Sequence, residues 1–384
     1  MPVSRHQPLV LATLALSLLS TSAFADVKIG INVPLTGFAA ADGKSALDGA
    51  KLAVAQANAR GGVKGEKIDL VIYDDQASPK EAVPAATKLV EKDKVVGAVS
   101  GSYSGSTRAA ASVFQAAQVP YVVAYAIHPD ITRSGDFMFR VSAMGEVQGR
   151  GGAKLVQTLG KKKVVLITLK NDFGQSLAAG FKEGATALGL TIAGELEYSM
   201  QDRQFGALIS QVKAQNPDVI YASGYFYTAG PLVNQLRAAG VTATIIGQEG
   251  YDSEKFMEIA GPASEGVLIT TSLDRDSANP VTKAFLSDFR QANSVGADMV
   301  AAATYTAMQV LIEGLNKTGG KGGAALRDVI AAGSYDSPIG KLGFNDLHEV
   351  KKDLQVQVVK DKAFHRHSII SDAVLLAPPS KASK

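Results

Sequence analysis

The stretch VVGAVSGSYSGSTRAAASVFQAAQVPYVVAYA, residues 95–126, holds three patterns in succession. An apolar run rich in valine meets a cluster of glycine and hydroxyl residues. An alanine-rich segment with helical spacing follows, and a second apolar run begins at Tyr121. Strand, tight turn, helix and strand in that order predict a right-handed crossover between parallel neighbours in a sheet covered on both faces.

The same rhythm extends in both directions. VKIGINVPL precedes ALDGAKLAVAQANA, and IDLVIYDD precedes PKEAVPAATKLVEK, where Pro79 suits a first helical turn. After FMFRVS the alternation restarts with KVVLITL, IAGELEYS, DVIYASGY, ATIIGQEG and GVLITTSL, helical patterns lying between them. Two series of about 120 residues each predict two doubly wound α/β lobes of ordinary domain size. Residues 281–293 and 298–316 read as further helices, and 336–378 as short strands.

Bulk properties narrow the function. The 39 basic and 36 acidic residues nearly cancel, which gives no reason to expect nucleic acid as a partner. Residues 1–25 carry Arg5, the apolar run Leu9–Leu19 and the small-x-small pattern Ala23-Phe24-Ala25. They read as a secretory signal peptide, the run being far shorter than the roughly 20 residues of a membrane span. The mature chain then starts at Asp26. With no cysteine, lipid attachment through an N-terminal cysteine is excluded, and the expected location is a bacterial periplasm.

Enzymatic motifs fail on spacing. Residues 100–114 lack the lysine of a phosphate-binding loop, and Gly101 and Gly105 do not make a dinucleotide fingerprint. Tyr103, not serine, lies midway between them, so no nucleophile elbow forms. His128 and His348 stand alone, and His365 and His367 lack a third metal ligand. No catalytic residue, metal or cofactor is expected. Two readings of the hydroxyl cluster stay open. Ser104 caps a helix beginning near Thr107 and does nothing more, or the helix start, with Ser104, Ser106 and Thr107, holds a small anion.

Several stretches together, in order, resemble the periplasmic leucine/isoleucine/valine-binding protein family of ABC transport systems. They are PLTGFAAADGKSALDGAKLAVAQANARGGVKGEKIDLVIYDDQASPKEA, then HPDIT, NDFGQSLAAGF, SGYF, GQEG and the helix around TYTAM. The resemblance implies a Venus-flytrap fold: two lobes, three crossovers at a hinge, and a ligand in the cleft. By analogy lobe 1 comprises 26–142 plus 274–350, and lobe 2 comprises 143–273 plus 351–384. It implies a ligand carboxylate at Ser104 with Ser106 beside it, backbone contacts at Tyr125 and Ile127, aromatic walls at Phe173 and Tyr225, and an acid for a ligand ammonium at Glu249. It also implies a monomer that delivers its ligand to an inner-membrane ABC permease.

Departures from the family bear on the ligand. Ile127 stands where threonine is usual, and Asp42 stands where an aromatic residue often closes the cleft mouth. Ala77 and Tyr103 occupy the positions of the family's first-lobe disulfide. The expected ligand is an amino acid, hydrophobic or branched-chain-like. Its rival is an aromatic carboxylate lacking the amino group. A sensor of amides or amino acids, or a hydrolase, would be functions of other classes.

Overall fold

The computed structural model describes residues 26–381, so the export segment read at 1–25 lies outside the described residues. The first series forms β1 (Val27–Val33), α1 (Ala40–Ala59), β2 (Ile68–Asp74), α2 (Pro79–Thr87) and β3 (Gly97–Ser100). It continues through α3 (Ser104–Ala116), β4 (Tyr121–Val123), α4 (Asp130–Arg133) and β5 (Met138–Arg140). These strands make one sheet, ordered β2-β1-β3-β4-β5, with every neighbouring pair parallel. Strand β3 is buried throughout, as a strand covered on both faces must be. Under α3 the rings of Phe114 and Tyr121 stack at 4.2 Å, both fully buried. Each such side chain contributes about 1.5–3 kcal/mol of hydrophobic stabilisation.

The second series is α5 (Gly145–Thr158), β6 (Lys163–Leu169), α6 (Asp172–Leu188), β7 (Thr191–Tyr198), α7 (Gly206–Gln215) and β8 (Val219–Ala222). It closes with α8 (Phe226–Ala238), β9 (Thr244–Gly247), α9 (Glu254–Ala260) and β10 (Leu268–Thr271). The chain then returns to the first sheet. After α10 (Pro280–Asn293), α11 (Met299–Thr318) packs on α1 and β3. That approach is close: a Cβ on Gly49 would lie 2.3 Å from the Ala301 carbonyl oxygen, so only glycine fits. Then come α12 (Gly323–Ala331) and the small antiparallel pair β11 (Ser334–Ser337) and β12 (Gly340–Gly343).

The tail forms β13 (Leu354–Lys360) and β14 (Ala363–Ile370) and goes to the second sheet, whose order is β14-β13-β10-β9-β8-β6-β7. Both tail strands are antiparallel to their neighbours. They are joined by Asp361 and Lys362, both at positive φ, as a two-residue hairpin turn requires. The chain therefore passes between the sheets after β5, after β10 and after β12. A fully buried ion pair ties the first and third passages, with Arg140 Nη2 3.0 Å from Glu349 Oε1. Arg140 also donates to the carbonyls of Ala126 (3.0 Å) and His128 (2.8 Å), and the Thr132 hydroxyl donates to Glu349.

Candidate functional site

One cavity lies where strand ends from both sheets face each other, the place where open parallel sheets bind ligands. It is lined by Asp42, Tyr103, Ser104, Tyr125, Phe173, Tyr225, Glu249, Gly250, Asp252, Ser253, Met299 and Val300. Loops and helix starts after β1, β3 and β4 carry the first four of these residues. Those after β6, β8 and β9 carry Phe173, Tyr225 and the Glu249–Ser253 segment.

The hydroxyl cluster of residues 100–107 divides its work. Gly101 sits so close to β1 that an added Cβ would be 2.6 Å from Val33 Cγ1. The Ser100 and Thr107 hydroxyls bond each other at 2.6 Å, and Ser102 donates to Asp75 at 2.9 Å. Helix α3 starts at Ser104, earlier than the spacing suggested. Its N-cap is Tyr103, whose carbonyl accepts from Thr107 N–H at 2.9 Å. Ser104 is thus the first helical residue and caps nothing. Its Oγ accepts from Ile127 N–H at 3.1 Å, which leaves its own proton and the free amides of the first turn for an anion.

Ser106 and Ile127 do not line the cavity. Ser106 lies two residues beyond Ser104, about 200° around the helix, so it points away. It is buried, with no hydrogen-bond partner for its hydroxyl among the described residues. Ile127 contributes only its amide, already taken by Ser104, and its fully buried side chain lies toward Gly145. The other six site residues read from the sequence come together around the one cavity.

The rest of the lining, from both sheets, is largely aromatic and acidic. Tyr103 and Tyr225 stack with centroids 4.0 Å apart and planes 6° from parallel, and Phe173 continues the stack at 4.8 Å. The Tyr125 hydroxyl donates to the Gly101 carbonyl at 2.5 Å, which holds its ring edge-on to Tyr103. The free space inside this cavity is about 20 Å³, so the rings almost fill it. A ligand must part them.

Glu249 opens a short 3₁₀ turn after β9 and is 3% exposed. It accepts hydrogen bonds from Ser272 (2.5 Å) and Gln148 (3.0 Å), and burial pushes its carboxyl up to about 7 despite them. Asp42, in the first turn of α1, accepts from the Tyr103 hydroxyl at 2.6 Å. Burial raises it to about 7, more than the Tyr103 bond lowers it, with Asp298 and Asp252 adding repulsion. Asp252 is paired with Arg275 and accepts from the Thr271 hydroxyl.

Sequence reading missed Asp252, Ser253, Met299 and Val300. The first two follow the GQEG motif within four residues, so the turn could have suggested them. Met299 and Val300 open a helix that returns from far along the chain, and no local pattern marks them.

Buried hydroxyl and amide donors at Ser104, the buried carboxylates Asp42 and Glu249, and aromatic rings, gathered around one cavity between two sheets, define a two-lobed solute-binding protein. The chain belongs to the Periplasmic binding protein family, whose model matches residues 26–363. The "Leucine-, isoleucine-, valine-, threonine-, and alanine-binding protein" of Pseudomonas aeruginosa is 31% identical over 329 residues, 85% of this chain and 87% of its own length. Among solved structures, the leucine-binding protein LivK from Thermotoga maritima superposes with a TM-score of 0.85 at 27% identity. It covers 90% of this chain and 98% of its own. The branched-chain amino acid transporter substrate-binding protein LivJ from Streptococcus pneumoniae, in complex with isoleucine, gives 0.84 at 26%, covering 90% and 99%. The family resemblance drawn from the ordered motifs holds.

Proposed function

We propose that this protein captures an amino acid between lobe 1 (26–142 plus 274–350) and lobe 2 (143–273 plus 351–384), then presents the closed form to an inner-membrane ABC permease. In this reading Ser104 and the first amides of α3 receive the α-carboxylate, and Glu249 receives the α-ammonium. Phe173, Tyr225 and Tyr125 pack around the ligand. The export segment at 1–25 puts the protein in the periplasm, where binding is non-covalent and nothing is made or broken.

The observation that carries this is the opposition of two buried groups across one cavity. One is a serine hydroxyl free to donate at a helix start, and the other is a carboxylate that meets only neutral hydrogen-bond donors. A zwitterion completes both at once. Lys352 lies near Glu249 but gives its hydrogen bond to the Ile339 carbonyl, so only a ligand ammonium would pair with the carboxylate directly, which disfavours an aromatic acid lacking an amino group. The ring stack is the one feature that suits such an acid.

Thermal shift against amino acids and benzoate, with small-angle scattering at saturation, tests the reading. A native-state ligand raises the melting temperature with concentration and shrinks the envelope as the lobes close. A response to benzoate with none to any amino acid would replace this reading with the aromatic-acid one.

A further inference from the structure

Resting on that amino-acid reading, we infer that the ligand's side chain ends in a cationic nitrogen group, an ammonium or guanidinium, which takes the free oxygen of Asp42. With the α-carboxylate at Ser104 and the α-ammonium at Glu249, the lining left for the side chain includes Asp42, Tyr103, Asp252, Met299 and Val300. Only the last two are aliphatic. A ligand ending in bare hydrocarbon would press a second buried carboxylate against apolar surface with nothing to offset its lost hydration.

The charges around the cavity point the same way. Asp252 has its own cation in Arg275. Glu249 has Lys352 nearby as well as the ligand ammonium. Asp298, behind the cavity, is satisfied by the Ser45 hydroxyl (2.5 Å) and the Ala301 amide (2.8 Å). Asp42 differs from all three. It is 5% exposed, its Oδ2 accepts from Tyr103, and among the described residues its Oδ1 has no hydrogen-bond partner and neither oxygen an ion-pair partner.

The rings supply a second, independent reason. Tyr103 holds its hydroxyl on Asp42 and its face flat against Tyr225. A planar or compact cation that parts the two rings meets a ring face beside a carboxylate, and both attract positive charge. Apolar packing alone needs no acid at that point.

Isothermal titration of wild type and the Asp42→Asn variant with L-arginine, L-lysine, L-leucine and benzoate tests the inference. Arginine or lysine should bind wild type more tightly than leucine does. Asp42→Asn should weaken that binding by about thirtyfold or more, the usual loss for removing one member of a buried charge pair. Leucine should bind the variant at least as tightly as it binds wild type, since the unmatched charge that opposes a hydrocarbon side chain is gone. Leucine binding wild type more tightly than both basic amino acids would overturn the inference and leave the amino-acid reading standing. So would an Asp42→Asn protein that keeps its basic ligand at full strength. Benzoate binding with no amino acid bound would overturn both. The wild-type ranking needs no variant and decides the matter alone if Asp42→Asn fails to fold.

Discussion

Glu349 and Glu249 are both buried carboxylates, 2% and 3% exposed, yet they sit in opposite electrostatic settings. Glu349 meets the Arg140 guanidinium, which is itself anchored on two carbonyls, where the first and third passages of the chain run together. Glu249 meets a serine and a glutamine, with Lys352, half-buried, as a more distant cation. The first arrangement has its counter-charge inside the protein and ties two passages of the chain together, although Arg140 Nε and Glu349 Oε2 have no hydrogen-bond partner among the described residues. The second leaves its charge for something else to match. Buried charge is balanced internally where the fold needs it, and left open where a small molecule is to supply the partner.

Breaking the balanced pair should have the largest effect. Arg140→Met strands the Glu349 charge in the interior and should cost about 3–5 kcal/mol in urea unfolding. Arg140→Met with Glu349→Leu should recover most of that, because the stranded charge goes with its partner. A single-variant loss under about 1 kcal/mol would mean that water reaches Glu349, and the contrast would fail.

The open carboxylate should respond the other way. Glu249→Gln should lower affinity for the amino-acid ligand by about thirtyfold or more, while costing the ligand-free protein less than about 1 kcal/mol. The pH dependence sharpens this. Burial raises the Glu249 carboxyl in the folded protein above its unfolded value near 4.3. The folded state therefore holds its proton longer than the unfolded state. The resulting stability is fully present at low pH and is lost as pH rises toward about 7. Melting curves without ligand should show the variant gaining on wild type between about pH 4.5 and 7 and levelling off beyond. A constant difference across that range would show that Glu249 is ionised throughout.

Much of this was legible in the sequence, and the reasons are local. Valine- and isoleucine-rich runs alternating with helical spacing mark the central strands, such as β1, β3, β6, β8 and β9, because these are buried on both faces, while the edge strands β2 and β7 are more exposed. Asp42, Ser104 and Glu249 could be named because each follows a strand in a recognisable stretch. What escaped was set by distant segments. The tail read correctly as strands, but its antiparallel place at the edge of the second sheet depends on β10, over eighty residues away. Met299 and Val300 reach the cavity only because α11 crosses back to the first sheet. The start of α3 was misjudged because serine and glycine give no apolar period from which to count, and Ser106, expected beside Ser104, lies off the cavity lining.

A smaller effect is expected at the rim of the cleft. Arg108 on α3 and Asp172, the first residue of α6, approach to 3.0 Å across the two lobes, their side chains 45% and 23% exposed. In the capture-and-closure reading such a pair forms only when the lobes are closed, so it would add to ligand affinity and contribute nothing to an open form. Exposed pairs are worth about 0.2–1 kcal/mol, which is at most a fivefold change in affinity. Arg108→Ala should therefore weaken binding by about two- to fivefold at low ionic strength, and the difference from wild type should vanish near 0.5 M salt, where the screening length is about 4 Å. Titration calorimetry at the two salt concentrations reads this directly. If the loss were the same at both, Arg108 would be acting by packing, and the rim would belong with the hinge pair rather than with the open charges of the cleft.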